Sequence, residues 1–310
     1  MEKILVIGAG GQLGTELVLE LRSVYGEENV LASDLKKVNQ THLTQPYMQL
    51  DACDYDAVLE VIKNEKISQV YHLAAILSAN AETDPRRAWD INMDSLLHIL
   101  EIARLGHIRK LYWPSSIAVF GPDTPKKDTP QFTLTSPTAI YGISKLAGER
   151  WCEYYHKKYG VDVRSLRYPG LIGYKSLPGG GTTDYAVDIF HKAIKGEKFI
   201  SFLSKDTVLP MMYMRDAVRA TLQLMESPAE SLTVRSSYNV ASMSFSPQEI
   251  YEELRVHFPT FVIEYNPDHR QQIANSWPSS IDDTVARTDW NWRHQYDLGK
   301  MTVDMIKHLK

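Results

Sequence analysis

The sequence predicts an α/β fold, with a doubly wound parallel sheet followed by a smaller carboxyl-terminal domain. Over roughly the first 165 residues, short apolar runs alternate with longer amphipathic segments, as strands and helices do in a parallel sheet. Glycines follow the first apolar run, and a chain of 310 residues is long enough for two lobes around one cleft. We expect residues 1–172 to form a first domain, to which the chain returns near 236–243. Residues 173–310 are expected to form most of a second domain.

Each element of the first domain is predicted by a short stretch of the chain. Apolar, partly β-branched runs predict strands at 4–7, 30–33, 47–50, 70–75, 109–113 and 161–166. Helical patterns begin after the glycines, after Asp54, at 85–105 and at 139–159. In the second domain we expect helices at 185–195 and within 211–225. A third helix is expected to begin with a capping box at Ser246 and Glu249, and an amphipathic helix is expected at the end of the sequence.

The first glycines have the spacing GxxGxxG, formed by Gly8, Gly11 and Gly14. They lie between a predicted strand and a predicted helix, which is the context that a dinucleotide-binding turn requires. Glycines let the backbone, here including Gln12 and Leu13, approach a pyrophosphate, and the amino terminus of a helix favours its charge. Because glycine turns after strands are frequent, the prediction needs support from the next segment.

Acidic residues follow the next two predicted strands. Asp34 is placed to accept hydrogen bonds from both ribose hydroxyls of an adenosine, and it would repel a 2′-phosphate, so we predict NAD rather than NADP. Asp51, followed by Ala52, is a candidate partner of the adenine amino group. The alternative for Asp34 is a strand-terminal residue that begins a turn.

The fourth predicted strand ends in the run Leu73, Ala74 and Ala75, whose small alanine side chains let a cofactor pass close to the backbone. Ser78 follows in the region where open α/β sheets bind ligands, outside the carboxyl ends of their strands. This serine can equally belong to a turn.

The groups suited to chemistry lie between positions 113 and 145. They are the hydroxyl of Ser116, the phenol of Tyr141 and the ammonium of Lys145, the last two lying four apart on one face of a predicted helix. A free phenol titrates near pH ~10, and a neighbouring cation lowers its pKa, which suits a base that takes a proton from an alcohol. Ser116 can hydrogen-bond the same oxygen. A Tyr and a Lys at this spacing are also common on solvated helices, so the other motifs decide between the two interpretations.

From Tyr168 onward the chain becomes rich in glycine and hydroxyl groups. Pro169 is placed to lie against a nicotinamide ring, and the segment GGGTTD is placed to close over a substrate, unless it is a plain surface loop. Trp277 lies in a segment without a clear pattern. We expect it to be either a lid residue or part of the core.

The composition argues against several classes of protein. A hydrophobic fraction of 44% and a charged fraction of 23% are those of a folded globular protein. The net charge of −4, without a basic run, gives no support for a nucleic-acid partner. The first apolar run is too short for a signal peptide or a membrane span, so we expect a cytoplasmic protein. Cys53 and Cys152 form no CxxC or His-rich pattern, and we expect free thiols and no metal.

Taken together, these residues resemble the extended short-chain dehydrogenase/reductases over essentially the whole chain. The resemblance rests on the three glycines, the LAA run and the YxxxK pair, together with Asp34, Asp51, Asn92 and Ser116. It implies a Rossmann NAD(P)-binding domain, a smaller substrate-binding domain and, commonly, a homodimer packed through paired helices. The residues assigned to NAD are Gly8, Gly11, Gln12, Leu13, Gly14, Asp34, Asp51, Ala52, Leu73, Ala74, Ala75, Asn92, Tyr141, Lys145, Tyr168, Pro169 and Leu171.

Within that family, the segments WPSSIAVFGP and GGGTTDYA resemble the NAD-dependent L-threonine 3-dehydrogenases of short-chain type. This resemblance implies oxidation of the 3-hydroxyl of L-threonine to 2-amino-3-oxobutanoate, with Tyr141 as the base, Lys145 lowering its pKa and holding the nicotinamide ribose, and Ser116 fixing the substrate oxygen. The residues assigned to this small-molecule substrate are Ser78, Ser116, Tyr141, Gly181, Thr182, Thr183, Asp184 and Trp277. The chain also resembles the nucleotide-sugar 4-epimerases, which usually carry an asparagine where this chain reads RYPGLIG.

Overall fold

The computed structural model describes residues 2–41, 43–175, 177, 179 and 181–310. Its strands are β1 (Ile4–Ile7), β2 (Val30–Asp34), β3 (Tyr47–Gln49), β4 (Gln69–His72), β5 (Lys110–Tyr112), β6 (Ser115–Ser116), β7 (Val163–Arg164), β8 (Leu166–Tyr168), β9 (Gly170–Ile172), β10 (Phe199–Ser201), β11 (Leu209–Tyr213), β12 (Tyr238–Asn239), β13 (Met243–Phe245) and β14 (Ile263–Tyr265). Its helices are α1 (Gln12–Tyr25), α2 (Tyr55–Asn64), α3 (Ser78–Ala81), α4 (Pro85–Arg104), α5 (Ile140–Tyr159), α6 (Tyr185–Lys195), α7 (Met214–Glu226), α8 (Pro247–His257), α9 (Arg270–Ser276), α10 (Thr284–Trp290) and α11 (Leu298–Leu309).

Six parallel strands form the central sheet, in the order β3-β2-β1-β4-β5-β7. All four residues of β1 are buried, and they alternate between the two faces of the sheet. Ile4 and Val6 join a core with α1 and α7, whereas Leu5 and Ile7 join a core with α2, α4 and α5. Helices therefore cover both faces, and the predicted doubly wound α/β fold is confirmed.

Three smaller sheets lie beyond the central one. Strands β6, β8 and β12 form a parallel sheet in the order β12-β8-β6, β11 pairs with β9 and β13, and β10 pairs with β14. The pairing of β6 with β8 sets Ser116 opposite Tyr168. It thus brings the serine turn next to the segment that leads to Pro169.

The sixth predicted strand, 161–166, differs from the structure. Only Val163 and Arg164 belong to the central sheet as β7, and after Ser165 the chain continues into β8, which pairs with β6 and β12. The segment predicted to return near 236–243 contains β12, which pairs with β8 and not with the central sheet.

Capping residues determine where several helices begin. The Asp54 side chain accepts a hydrogen bond from the Ala57 amide at the start of α2. Ser246 and Glu249 form the predicted capping box of α8. Among the described helices, none combines the length and the apolar character that crossing a membrane requires.

Candidate active site

A cleft opens at the carboxyl ends of the central strands, where the strand order reverses beside β1 and β4. The glycine turn after β1 lines it. Gly8 has a φ of 83°, and a β-carbon there would lie 2.5 Å from the backbone nitrogen of Ala74. A β-carbon at Gly14 would lie 2.5 Å from the carbonyl oxygen of Gly8, so only glycine allows this close packing of α1 on the turn.

The amino terminus of α1 provides a place for an anion. Gly11 is exposed and lines the cleft, and a β-carbon there would meet only the Gly8 carbonyl oxygen, at 3.5 Å. No acidic residue occupies the first turn of α1, and within the described chain no side chain caps it. Gln12 and Leu13 line the cleft beside these amides. The arrangement fits the pyrophosphate of a dinucleotide.

Asp34, at the carboxyl end of β2, faces this turn. Its two carboxylate oxygens accept hydrogen bonds from the Gly10 amide at 2.9 Å and the Lys36 amide at 3.1 Å. A carboxylate oxygen can accept more than one hydrogen bond, so the predicted ribose contacts remain open to it. Asp51 accepts a hydrogen bond from the Cys53 amide at 2.9 Å, in a turn after β3. Asp34, Asp51 and Ala52 lie outside the residues that line the cleft.

Asn92, which the resemblance assigns to NAD, makes hydrogen bonds within the protein, and its contact with the cofactor stays a prediction. It is 5% exposed on α4, and its amide side chain bonds the backbone nitrogen of Ile76 at 2.8 Å and the carbonyl of Ile76 at 3.2 Å. It also donates to the Ser144 hydroxyl at 3.3 Å. These contacts fix the loop after β4, from which Leu73, Ala75 and Ser78 line the cleft. Asn92 itself lies behind the loop, so it holds the cleft wall.

Ser116 and Tyr141 meet in the middle of the cleft. The Ser116 hydroxyl caps the 3-10 turn Ile117–Val119 by accepting from the Ala118 amide at 3.2 Å, and it also hydrogen-bonds the Tyr141 phenol. Burial raises the pKa of Tyr141 to about 12, and the hydrogen bond with Ser116 opposes this shift. Burial, which disfavours the charged phenolate, is the largest cause of this shift, and the lowering of the phenol's pKa by Lys145 stays a prediction.

The Lys145 ammonium lies among Pro114, Trp113 and the Tyr141 ring. Its nitrogen donates a hydrogen bond to the Pro114 carbonyl oxygen at 2.7 Å and lies 4.4 Å from the centre of the Trp113 ring, but 5.6 Å from that of the Tyr141 ring. Burial lowers the pKa of Lys145 to about 7, against the opposing effects of Cys152 and Glu149. The indole face and the carbonyl oxygen stabilise the ammonium form that burial disfavours.

A buried ion pair links α5 to β8. Glu149 on α5 is bound through both oxygens by Arg167 of β8, at 2.8 and 2.7 Å. The Ser115 hydroxyl donates to the same carboxylate at 2.7 Å, next to Ser116. The side chains of Glu149 and Arg167 are 0% and 5% exposed. This network ties α5 to the strand that carries Ser116.

Residues 181–184 contribute polar groups to the lining of the same cleft. Thr182 is 1% exposed, and within the described chain its hydroxyl has no hydrogen-bond partner. Asp184 accepts a hydrogen bond from the Gly181 amide at 2.8 Å. Thr183 and Trp277 also line the cleft. A buried hydroxyl without a partner costs free energy, which a polar ligand would recover.

The cleft brings together most of the residues predicted from the sequence. Those that line it are Gly8, Gly11, Gln12, Leu13, Gly14, Leu73, Ala75, Ser78, Ser116, Tyr141, Lys145, Tyr168, Pro169, Leu171, Gly181, Thr182, Thr183, Asp184 and Trp277. Ala74 lies just outside this lining, against Gly8. The hydroxyl of Tyr168 bonds Tyr112 and Thr221 in the core, so its phenol group is not available to a cofactor.

Sequence analysis missed several residues of the cleft, among them Leu77, Pro114 and Ile117. Leu77 and Ile117 carry no chemical group that marks a site. Pro114 could have been found, because it stands two residues before Ser116, but its contribution is a backbone carbonyl. Among the described residues, no group of three or more His, Cys, Asp or Glu side chains is placed to hold a metal ion.

The glycine turn, the acid after β2 and the Ser-Tyr-Lys set define an NAD-binding enzyme of the Rossmann type. Residues 4–241 match the model of the NAD dependent epimerase/dehydratase family, and the chain belongs to that family, whose cofactor is NAD. An uncharacterized epimerase/dehydratase of Staphylococcus haemolyticus is 45% identical over 313 residues, covering 100% of this chain and 98% of that protein.

Solved structures extend the comparison. The GalE-like L-threonine dehydrogenase of Cupriavidus necator, in its holo form, is 54% identical, with a TM-score of 0.98 over 99% of this chain and 100% of that one. A monomeric L-threonine 3-dehydrogenase from a metagenome, in its apo form, is 48% identical, with a TM-score of 0.95 over 99% and 98%. This chain is thus an extended short-chain dehydrogenase/reductase that is similar to L-threonine 3-dehydrogenases.

Proposed function

We propose that this protein oxidises the 3-hydroxyl of L-threonine with NAD, giving 2-amino-3-oxobutanoate. One observation carries the proposal: the buried, unpartnered hydroxyl of Thr182 lies in the same cleft as Ser116 and Tyr141. A site that satisfies several polar groups of a small zwitterion selects it strongly, since an ill-fitting ligand leaves buried groups unpaired. The similarity to L-threonine dehydrogenases at 54% and 48% identity supports the same assignment.

Three side chains perform the proton transfer in this proposal. Ser116 holds the substrate hydroxyl oxygen, and Tyr141 takes its proton as the carbinol carbon is oxidised. NAD, when bound, supplies the hydride acceptor and a positive charge near the phenol. Lys145 holds the nicotinamide ribose, and its ammonium adds to the charge that favours the phenolate.

The amino-acid end of the substrate is assigned to the opposite wall. Ser78, which is 6% exposed, and the threonines at 182 and 183 offer hydroxyl groups to the carboxylate. The carboxylate of Asp184 is the proposed partner of the substrate ammonium. Asp34 is proposed to bind the adenosine ribose and to disfavour NADP.

The proposed function is tested by mixing the purified protein with NAD and L-threonine and following the absorbance of NADH. Parallel samples contain NADP in place of NAD, or L-serine or L-allo-threonine in place of L-threonine. We expect NADH only with NAD and L-threonine. Failure to produce NADH from L-threonine, with the folded protein still binding NAD, would contradict the proposal.

A second candidate is a nucleotide-sugar 4-epimerase or dehydratase, which the description of the matching family favours. Such an enzyme uses NAD without net formation of NADH. Incubation with a UDP-sugar, followed by chromatography of the nucleotide sugars, separates the two functions. Interconverted sugar without turnover of threonine would assign the 181–184 segment to a different ligand.

We also propose a division of the chain and an assembly. Residues 1–172, with the segment near 236–243, form the NAD-binding domain, and residues 173–310 form most of the substrate-binding domain. The pairing of β12 with β8 supports the return of the chain to the first domain.

We propose a homodimer packed through α4 and α5, which contact each other and expose the aromatic side chains of Trp89, Trp151 and Tyr154.

A further inference from the structure

The connection between the serine turn and the catalytic helix reaches the second domain at one lysine. The ammonium of Lys126 donates hydrogen bonds to the carbonyl oxygens of Ser276 at 2.6 Å, Asn275 at 3.2 Å and Trp277 at 3.3 Å. It also donates to the carbonyl oxygen of Gly121 at 3.3 Å, just after the serine turn. A single cation thus binds the carboxyl end of α9 and the chain that leads away from Ser116.

The backbone around Lys126 strengthens this connection. The Lys126 carbonyl accepts a hydrogen bond from the Ser279 amide at 2.7 Å and one from the Ser279 hydroxyl at 2.9 Å. Thr129 then forms a parallel bridge with Ile281, and its amide donates to the Ser280 carbonyl at 3.0 Å. Both sides of Trp277 are therefore held by the same short segment, 126–129.

Trp277 is the residue between these two points of attachment. It follows the last residue of α9, is 8% exposed and lines the cleft with Thr183 and Ile117. Cations near the carboxyl end of a helix are stabilised by its unpaired carbonyl groups, and their hydrogen bonds to a charged donor are strong. Burial lowers the pKa of Lys126, so these carbonyl groups also offset the desolvation of its ammonium.

We infer that Lys126 is a positioning residue for substrate selection, which holds the indole of Trp277 at the substrate end of the cleft. This inference rests on the proposed oxidation of L-threonine. Lys126 touches neither the reacting atoms nor the glycine turn, so it acts on the binding of the amino acid through Trp277. A small displacement of a group that positions the substrate has a large effect on the reaction.

The test compares Lys126→Met with Lys127→Met, since Lys127 is the next residue, carries the same charge and is exposed. For Lys126→Met we expect KM for L-threonine to rise about tenfold, with kcat reduced less and the Kd of NAD unchanged within about twofold. Lys127→Met is expected to keep wild-type values. Lys126→Arg is expected to keep KM near the wild-type value, because a guanidinium can also donate to several carbonyl groups.

A double-mutant cycle with Trp277→Leu distinguishes positioning from general stabilisation. In the Trp277→Leu background, Lys126→Met should change KM less than about twofold, because the indole that it positions is gone. Additive effects of the two substitutions, or an unchanged KM in Lys126→Met, would overturn the inference. The inference would also be overturned if a lower Tm were the sole effect of Lys126→Met.

Hydrogen exchange gives a measurement that does not depend on activity. Peptides that cover 275–282 are followed in the NAD-bound protein, and we expect faster exchange in Lys126→Met but not in Lys127→Met. If wild-type protein exchanges as expected but does not oxidise L-threonine, the proposed function fails while the attachment of Trp277 is kept. Unchanged exchange in Lys126→Met would contradict the attachment itself.

Discussion

Burial decides the protonation of the two side chains at the centre of the proposed reaction. It raises the pKa of Tyr141 to about 12 and lowers that of Lys145 to about 7. Without ligand at neutral pH, the phenol therefore keeps its proton and the lysine is near its midpoint. A positive nicotinamide ring beside the phenol would oppose the first effect, so we expect activation of the base to depend on cofactor binding.

The role of the phenol is tested by Tyr141→Phe. This change removes the proton acceptor and leaves the ring, so we expect kcat to fall by about 10³-fold, within the range typical of general bases. The Kd of NAD, measured by titration calorimetry, should change less than about twofold. The matched control is Tyr154→Phe, on the same helix with 43% exposure, which should keep wild-type kcat. Full turnover by Tyr141→Phe would contradict the assignment.

Lys145 provides a prediction for stability against pH. The pKa of Lys145 is about 7 in the folded protein, against an ordinary value of 10.5. Between these two pH values the unfolded chain binds more protons than the folded protein, so the free energy of unfolding of the wild type rises with pH. Lys145→Met removes the free-energy cost of burying a charged ammonium. The lost contacts with Pro114 and Trp113 offset part of this gain in stability. Below pH 7 we expect the free energy of unfolding to increase by roughly 2 to 4 kcal/mol, although activity is lost.

Urea unfolding of wild type and Lys145→Met at pH 6, 8 and 10 measures this effect. The stabilisation should be largest at pH 6 and should shrink as the pH rises towards 10.5, because the lysine becomes neutral in both states only above that value. If the difference in the free energy of unfolding between wild type and Lys145→Met were the same at all three pH values, protonation of Lys145 would not contribute to that difference.

At the scale of elements, the pair Glu149–Arg167 connects α5, β8 and, through Ser115, β6. Arg167→Met leaves a buried carboxylate without its partner, so we expect a loss of about 3–5 kcal/mol in the free energy of unfolding. The double variant with Glu149→Gln should lose less, because no buried charge stays unpaired. Arg150→Met is the comparison: this arginine pairs with Glu153 at 3.0 Å and lies 3.8 Å from Glu149, but it is 56% exposed, so its loss should cost below about 1 kcal/mol.

Denaturant unfolding of the wild type and these three variants, read by circular dichroism, checks the ranking. If Arg167→Met were no less stable than Arg150→Met, the buried pair would not hold these elements together.

The sequence predicted elements and cleft-lining residues wherever a local pattern carried the information. Alternating apolar runs predict the central strands, and the four-residue spacing of Tyr141 and Lys145 predicts their shared face. Contacts between distant segments have no such pattern. The stacking of Lys145 on Trp113 and the attachment of Lys126 to residues 275–277 depend on tertiary packing, so they required the structure.

For two residues that the resemblance assigns to the cofactor, the structure shows side-chain contacts that the sequence did not indicate. Asn92 was assigned to the cofactor, but its amide side chain is used by Ile76 and Ser144 behind the loop. Tyr168 lines the cleft, yet its hydroxyl bonds within the core. In both cases the position along the chain was informative, whereas the direction of the side chain was not encoded in the spacing.

At the scale of the whole molecule, the faces of α4 and α5 that do not pack on the sheet are unusually aromatic. Trp151 and Tyr154 on α5 are 39% and 43% exposed, and Trp89 on α4 is 36% exposed. Aromatic side chains are enriched where protein surfaces associate. The cytoplasmic location and the absence of a nucleic-acid partner stay predictions from the sequence.

The proposed homodimer is tested by Trp151→Glu. A carboxylate in the centre of an apolar interface would be buried without a partner, so the variant should elute as a monomer, whereas the wild type is expected to have twice the mass of one chain. Light scattering coupled to size-exclusion chromatography measures both masses. Val24→Glu is the control, because Val24 is 52% exposed on α1, which packs on the opposite face of the sheet. A monomeric wild type would contradict the dimer and would place this chain with the relative that is described as monomeric.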